Sequence, residues 1–193
     1  GNCIAEFNKN GLHVGTEYGL DFVAQNTIEN QCIRDVVEAI IDRPRWGLYK
    51  VYSDKLPSDQ VWFLHNRIQP QTPTLLVLLL SPGSSTIFWE GSHLKSLYAK
   101  EEKEWGLLAL PREWLAQKGI KPTEVSTCEG GLAIIDSRTG FTPVRGYAIH
   151  IGFATEAELE HWAKMPLPDS ETLRAKVADL ESKGFRSNIT FVK

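Results

Sequence analysis

The chain has 193 residues, 42% of them hydrophobic and 23% charged, and a formal net charge of -3. That length suffices for one domain with a sizeable core, and the composition is ordinary for a soluble globular protein. The slightly acidic balance, with no run of Lys and Arg, argues against a nucleic-acid-binding face.

In chain order, residues 3–24 hold Gly11, Gly15 and Gly19 between short apolar pieces and read as strands or loop. Over 27–41, Ile28, Cys32, Val36, Ala39 and Ile40 recur near the helical period; Asn26 or Thr27 caps this helix and Pro44 stops it. Residues 46–53 alternate and are aromatic, hence a strand, and 54–59 make a turn. Residues 61–68 alternate again. Val61, Phe63, His65 and Arg67 share one face; Trp62, Leu64, Asn66 and Ile68 share the other. After a break at 69–73, the uninterrupted apolar run 74–80 predicts a strand buried on both faces. A turn at 81–84 leads to a short strand, 86–89, that runs into Glu90-Gly91-Ser92-His93. Residues 94–106 are charged and poorly periodic, fitting a helix or a flexible insertion. Residues 111–118 read as a short helix with Pro111 in its first turn and Gly119 beyond its end. A strand is expected at 125–128.

The stretch 132–154 reads as a hairpin: a strand to Asp136, a polar link through Ser137, Arg138, Thr139, Gly140, Phe141, Thr142 and Pro143, and a second strand from Arg145. The tail is helical. Thr155 and Glu158 form a capping-box pattern at the head of a helix over 155–165. A second helix over 169–183 closes at Gly184, and a last strand covers 186–192. Many short strands with turns between them, plus peripheral helices, predict a mainly β core in a single domain over 1–193.

Cys3, Cys32 and Cys128 are odd in number and widely spaced, with no CxxC pair, so reduced thiols are expected rather than a zinc site or a disulfide framework. No secretory signal is visible at the start, and the longest apolar run, 75–80, is too short to span a bilayer. A soluble, cytoplasmic protein with no membrane span is the expectation.

Several side chains carry candidate chemistry. His65 and Arg67, two apart on one strand, can reach one ligand; they suit an anion or carbonyl site, or form a hydrogen-bonded pair with no further role. A facial iron triad needs an acid where Arg67 stands. Asp136 and Arg138, also two apart, pair with each other, or Asp136 orients a catalytic group or acts as a base. Arg145 grips a carboxylate in bidentate fashion or makes a structural salt bridge. His150 shares a face with Gly146, Ala148, Gly152 and Ala154, all small, which leaves room either for close packing or for a ligand. Ser92 and His93 are adjacent, and adjacent residues rarely meet as nucleophile and base. The chain has no GxSxG elbow, P-loop or GxGxxG.

The order of these pieces resembles the phytanoyl-CoA dioxygenase-like group of iron(II) and 2-oxoglutarate oxygenases, across roughly residues 60–155. A His-bearing strand, a buried apolar strand, a turn, and a short strand ending in Gly91-Ser92-His93 come first. Gly130-Gly131, the strand to Asp136, and Arg145 follow. The resemblance implies a double-stranded β-helix (jelly-roll, cupin-like) core with peripheral helices. It makes His65 the counterpart of the first metal ligand and Arg145 that of the 2-oxoglutarate-binding arginine. The chain departs from the pattern where Arg67 replaces the acid and Phe141 stands for the distal histidine. With two of three ligands replaced, the expectation is a metal-independent enzyme with no cofactor. It would isomerise or cyclise an apolar small-molecule substrate, with His65, Arg67, Asp136 and Arg145 as catalytic groups. Trp62, Trp89, Arg138, Phe141 and His150 would enclose the substrate. The alternatives are an active oxygenase using Fe(II) and 2-oxoglutarate, and a non-catalytic binding or partner subunit. Self-association as a homodimer is a further expectation.

Overall fold

The computed structural model describes residues 15–42, 45–53 (backbone only), 56–65, 73–103 and 106–193. Its elements, in chain order, are α1 (Glu17–Asn26), α2 (Gln31–Ile40), β1 (Arg45–Ser53), β2 (Gln60–Phe63), β3 (Leu75–Leu80), β4 (Ser84–Glu90), a 3-10 turn (Ser92–Leu94), β5 (Lys100–Glu102), β6 (Leu107–Pro111), α3 (Arg112–Gln117), β7 (Lys121–Thr127), β8 (Gly131–Asp136), β9 (Gly140–Arg145), β10 (Tyr147–Ala154), α4 (Glu156–Leu159), β11 (Met165–Pro168), α5 (Glu171–Ser182), β12 (Arg186–Ser187) and β13 (Ile189–Val192). The fold is mainly β. No described helix is long and apolar enough to cross a membrane.

The chain divides into two compact units. Among the described residues, one holds 52–53, 56–65, 76–103 and 106–149; the other holds 15–42, 45–51, 73–75 and 150–193. In the first unit a six-stranded sheet runs in the order β5-β6-β2-β9-β4-β7, antiparallel throughout. Alternation splits its side chains between two cores. Trp62, Phe141 and Phe88 are cross-strand partners on one face, where they join Leu76, Leu78, Leu80, Leu107 and Ala148. Val61, Phe63, Ile87 and Trp89 face the other way and pack with Leu97, Leu110, Ile120 and Leu115 of α3. The strand β3, buried at every position, lies between β8 and the opening of β10, where the Ser81 N–H donates to the Tyr147 carbonyl at 3.0 Å.

In the second unit β1 lies between β12 and β10, and β11 and β13 pair in parallel. All three long helices there are capped at the start by a side-chain oxygen: Thr16 accepts from the Gly19 N–H ahead of α1, Asn30 from the Ile33 N–H ahead of α2, and Ser170 from the Leu173 N–H ahead of α5. Phe153 of β10 meets Phe185 edge-on, with ring centroids 5.8 Å apart.

Several elements differ from the sequence reading. The described part of 3–24 is helix α1, started by Thr16, whose hydroxyl accepts the Gly19 N–H; residues 1–14 lie outside the described residues. The next helix begins at Gln31 rather than 27, because the Thr27 hydroxyl turns back to the Val23 carbonyl and closes α1 instead. Residues 94–106 contain no long helix among those described, only the end of the 3-10 turn and β5. The Thr155 side chain makes no capping bond, Glu158 accepts instead from the Trp162 indole, and α4 stops at Leu159. The stretch 132–154 is not a hairpin. β8 pairs with β3, whereas β9 lies between β2 and β4.

Candidate functional site

Register places the ionisable side chains. β9 runs antiparallel to both its neighbours, with Phe141 opposite Trp62 and Gly140 opposite Trp89. The last residues of β2 and β4 therefore come out at the end of the sheet where β9 begins. His65 follows the end of β2, His93 follows the end of β4, Asp136 ends β8 in the other sheet, and Arg138 lies in the turn that leads from it into β9. Three segments remote in sequence thus deliver two imidazoles, a carboxylate and a guanidinium to one end of one sheet.

Gly140 makes this convergence possible. A Cβ there would sit 2.6 Å from Val61 Cγ1 and 2.8 Å from Phe63 Cε1, so only glycine lets β9 start this close to β2. The preceding turn is built by Asp136. Its carbonyl accepts the Thr139 N–H at 2.8 Å, and its Oδ1 accepts the Arg138 N–H at 2.9 Å. The Arg138 side chain then folds back on the same carboxylate, Nε to Oδ1 at 2.8 Å and Nη2 to Oδ2 at 2.5 Å. Burial works to raise the Asp136 pKa. The Arg138 hydrogen bonds and charge, with a contribution from the charge of His93, outweigh it and hold this carboxyl below its usual range. Asp136 raises the pKa of the Arg138 guanidinium in turn. The pairing expected at 136 and 138 is thus present, in bidentate form.

The other expected site residues lie elsewhere. Arg145 ends β9, five strand residues from Gly140 and so about 17 Å away. It is exposed, and its Nε donates to the Gly83 carbonyl at 2.8 Å. Trp62 and Phe141 are fully buried neighbours in one core, and the Trp62 indole donates to the Pro57 carbonyl. Trp89 belongs to the opposite core, and its indole donates to the Thr142 hydroxyl. The three aromatics therefore do not share a face. His150 belongs to the second unit, where it is 1% exposed; burial drives its pKa down to about 3, so it is neutral near neutral pH. Arg67 lies outside the described residues. His93, which does not work as half of an adjacent Ser-His pair, is a member of the end cluster that its sequence neighbours alone do not single out. Its place three residues past β4 would have found it, once β4 and β9 were known to pair.

Half-open apolar side chains adjoin this end: Leu64 precedes His65, Ile135 precedes Asp136, and both are partly buried against the core. For the iron implied by the oxygenase resemblance, Asp136 is the acid at hand, and both of its oxygens are engaged by Arg138. The described donor set does not fit an iron ion. No protein-family model matches this sequence, and no curated protein matches it either.

Proposed function

We propose that this chain is a metal-independent enzyme that isomerises or cyclises a small apolar molecule bearing a carbonyl or acidic group. Its site lies at the end of the sheet where β2 and β4 stop and β9 begins. The observation that carries this reading is the delivery of His65, His93, Asp136 and Arg138 to that one end, beside the half-open Leu64 and Ile135. Proton transfer by imidazoles and a fixed ion pair suits a reaction that moves a hydrogen without changing oxidation state. The apolar neighbours suit a substrate with little charge of its own.

The same reading takes the fold as a double-stranded β-helix. Within the first unit the chain passes from β2 in the six-stranded sheet to β3, back to β4, and later from β8 to β9 to β10 in the same alternating way. The strand orders β2-β9-β4-β7 and β10-β3-β8 are those that such winding produces, which supports the oxygenase-like core without supplying an oxygenase.

The test is turnover of small apolar carbonyl compounds by the full chain in EDTA, set against iron plus 2-oxoglutarate. An isomerase gives a product of unchanged mass in EDTA. Product formed only with iron, accompanied by succinate, would establish the oxygenase instead. Separate His65→Ala and Arg67→Ala substitutions then assign roles. Undiminished turnover in both removes these two residues from the mechanism.

A further inference from the structure

The turn after β4 carries the argument further. Gly91, at φ +78°, reverses the chain into the 3-10 turn. Ser92 is buried there, and its hydroxyl accepts the Gly140 N–H at 2.8 Å, which pins the turn to the first residue of β9. His93 comes next and is half-buried. Its Nδ1 is shielded from solvent with no hydrogen-bond partner among the described residues. The charge of His93 acts on the Asp136 carboxylate. That carboxylate is already committed, with both oxygens accepting from Arg138. A carboxylate held in this way is a weak proton acceptor but a good fixed counter-charge. An imidazole exchanges protons readily near neutral pH.

We infer that His93 is the proton-exchanging residue of this site, and that Asp136, fixed by Arg138, is the positioning residue that supplies its counter-charge. The inference rests on reading this end of the sheet as a small-molecule site. The step balances without a co-reactant. A C–H or O–H bond of the bound molecule breaks and its proton passes to an imidazole nitrogen. The bonding pair stays on the molecule, the imidazolium faces the Asp136 carboxylate, and a proton returns to a different atom of the molecule. Nothing is oxidised or reduced.

Carbethoxylation of the full chain by diethyl pyrocarbonate at pH 6, mapped by peptide mass, tests this without a substrate. Exposed His161 and buried His150 serve as the reactive and unreactive references. His93 should be modified in the wild type at a rate nearer that of His161 than that of His150. A His93 as inert as His150 overturns the inference. A His93→Gln chain provides a second measurement: the Asp136 carboxyl, followed by carbon-13 NMR, should titrate at higher pH than in the wild type, and an unmoved midpoint also overturns it. Neither readout depends on turnover, so failure to find an isomerase substrate would count against the proposed reaction while leaving these results to stand or fall separately.

Discussion

At the scale of single residues, the ion pair between Asp136 and Arg138 decides what this end of the sheet can do. It is partly sheltered, with side chains 28% and 23% exposed, and its geometry is bidentate. Such a pair is worth more than a solvent-exposed one, and removing one partner strands the other in a desolvated place. Arg138→Gln should therefore raise the Asp136 titration midpoint, since burial then acts with less opposition. It should also cost about 1–2 kcal/mol at neutral pH. The sign follows from the depressed carboxyl. A folded-state pKa below the unfolded value contributes stability that is present above the unfolded value and lost as pH falls through the folded one. Denaturant curves of wild type and Arg138→Gln should therefore converge below about pH 4. A gap of constant size down to acid pH would mean that the substitution acts through packing rather than through this charge.

At the scale of elements, two contacts hold the three segments of the site in register, and each can be removed alone. Gly140→Ala drives a methyl group into Val61 and Phe63, and should cost about 1–3 kcal/mol by prising β9 from β2. Ser92→Ala strands the buried Gly140 N–H, and should cost about 1–3 kcal/mol with no added bulk. Urea unfolding measures both, and wild-type stability in both variants would show that neither contact fixes the turn. These contacts also show where sequence reasoning reached its limit. The strands β2, β3 and β10 are legible because their aliphatic and aromatic side chains suit an extended run, although β2 and β10 are buried on both faces as β3 is. The strand β9 reads as a loop because Thr139, Thr142 and Pro143 look like turn residues. Yet Thr142 is fully buried, its hydroxyl donating to the Gln60 carbonyl and accepting from the Trp89 indole. A polar residue satisfied by partners 82 and 53 positions away leaves no local signature. The same holds for the site. The pairing of Asp136 with Arg138 follows from their spacing, but the exclusion of Arg145 and the inclusion of His93 follow from register alone. The helix α1 leaves a weak sequence signal because Gly15 and Gly19 obscure an apolar face that packing against α5 makes worthwhile.

At the scale of the whole molecule, the fully buried His150 sets an acid limit on stability. Folding keeps it neutral, with a pKa pushed down to about 3 by burial, whereas the unfolded chain takes up its proton near the ordinary histidine value of about 6.5. The folded protein thus binds fewer protons than the unfolded one between those two values. Stability therefore falls as pH drops below about 6.5, at up to about 1.4 kcal/mol per pH unit. Asp136 adds its own loss only below about pH 4, so the two windows separate. Among the described groups with a displaced pKa, His150 is the one whose proton balance changes between pH 6.5 and 5. Over that interval the wild type should lose about 2 kcal/mol more than His150→Gln, whatever the two proteins' stabilities at neutral pH. The comparison is one of slopes, so it survives a variant that begins less stable. Parallel curves from pH 6.5 to 5 would show that the imidazole is protonated in the folded chain, and would return His150 to the groups able to carry charge toward a ligand.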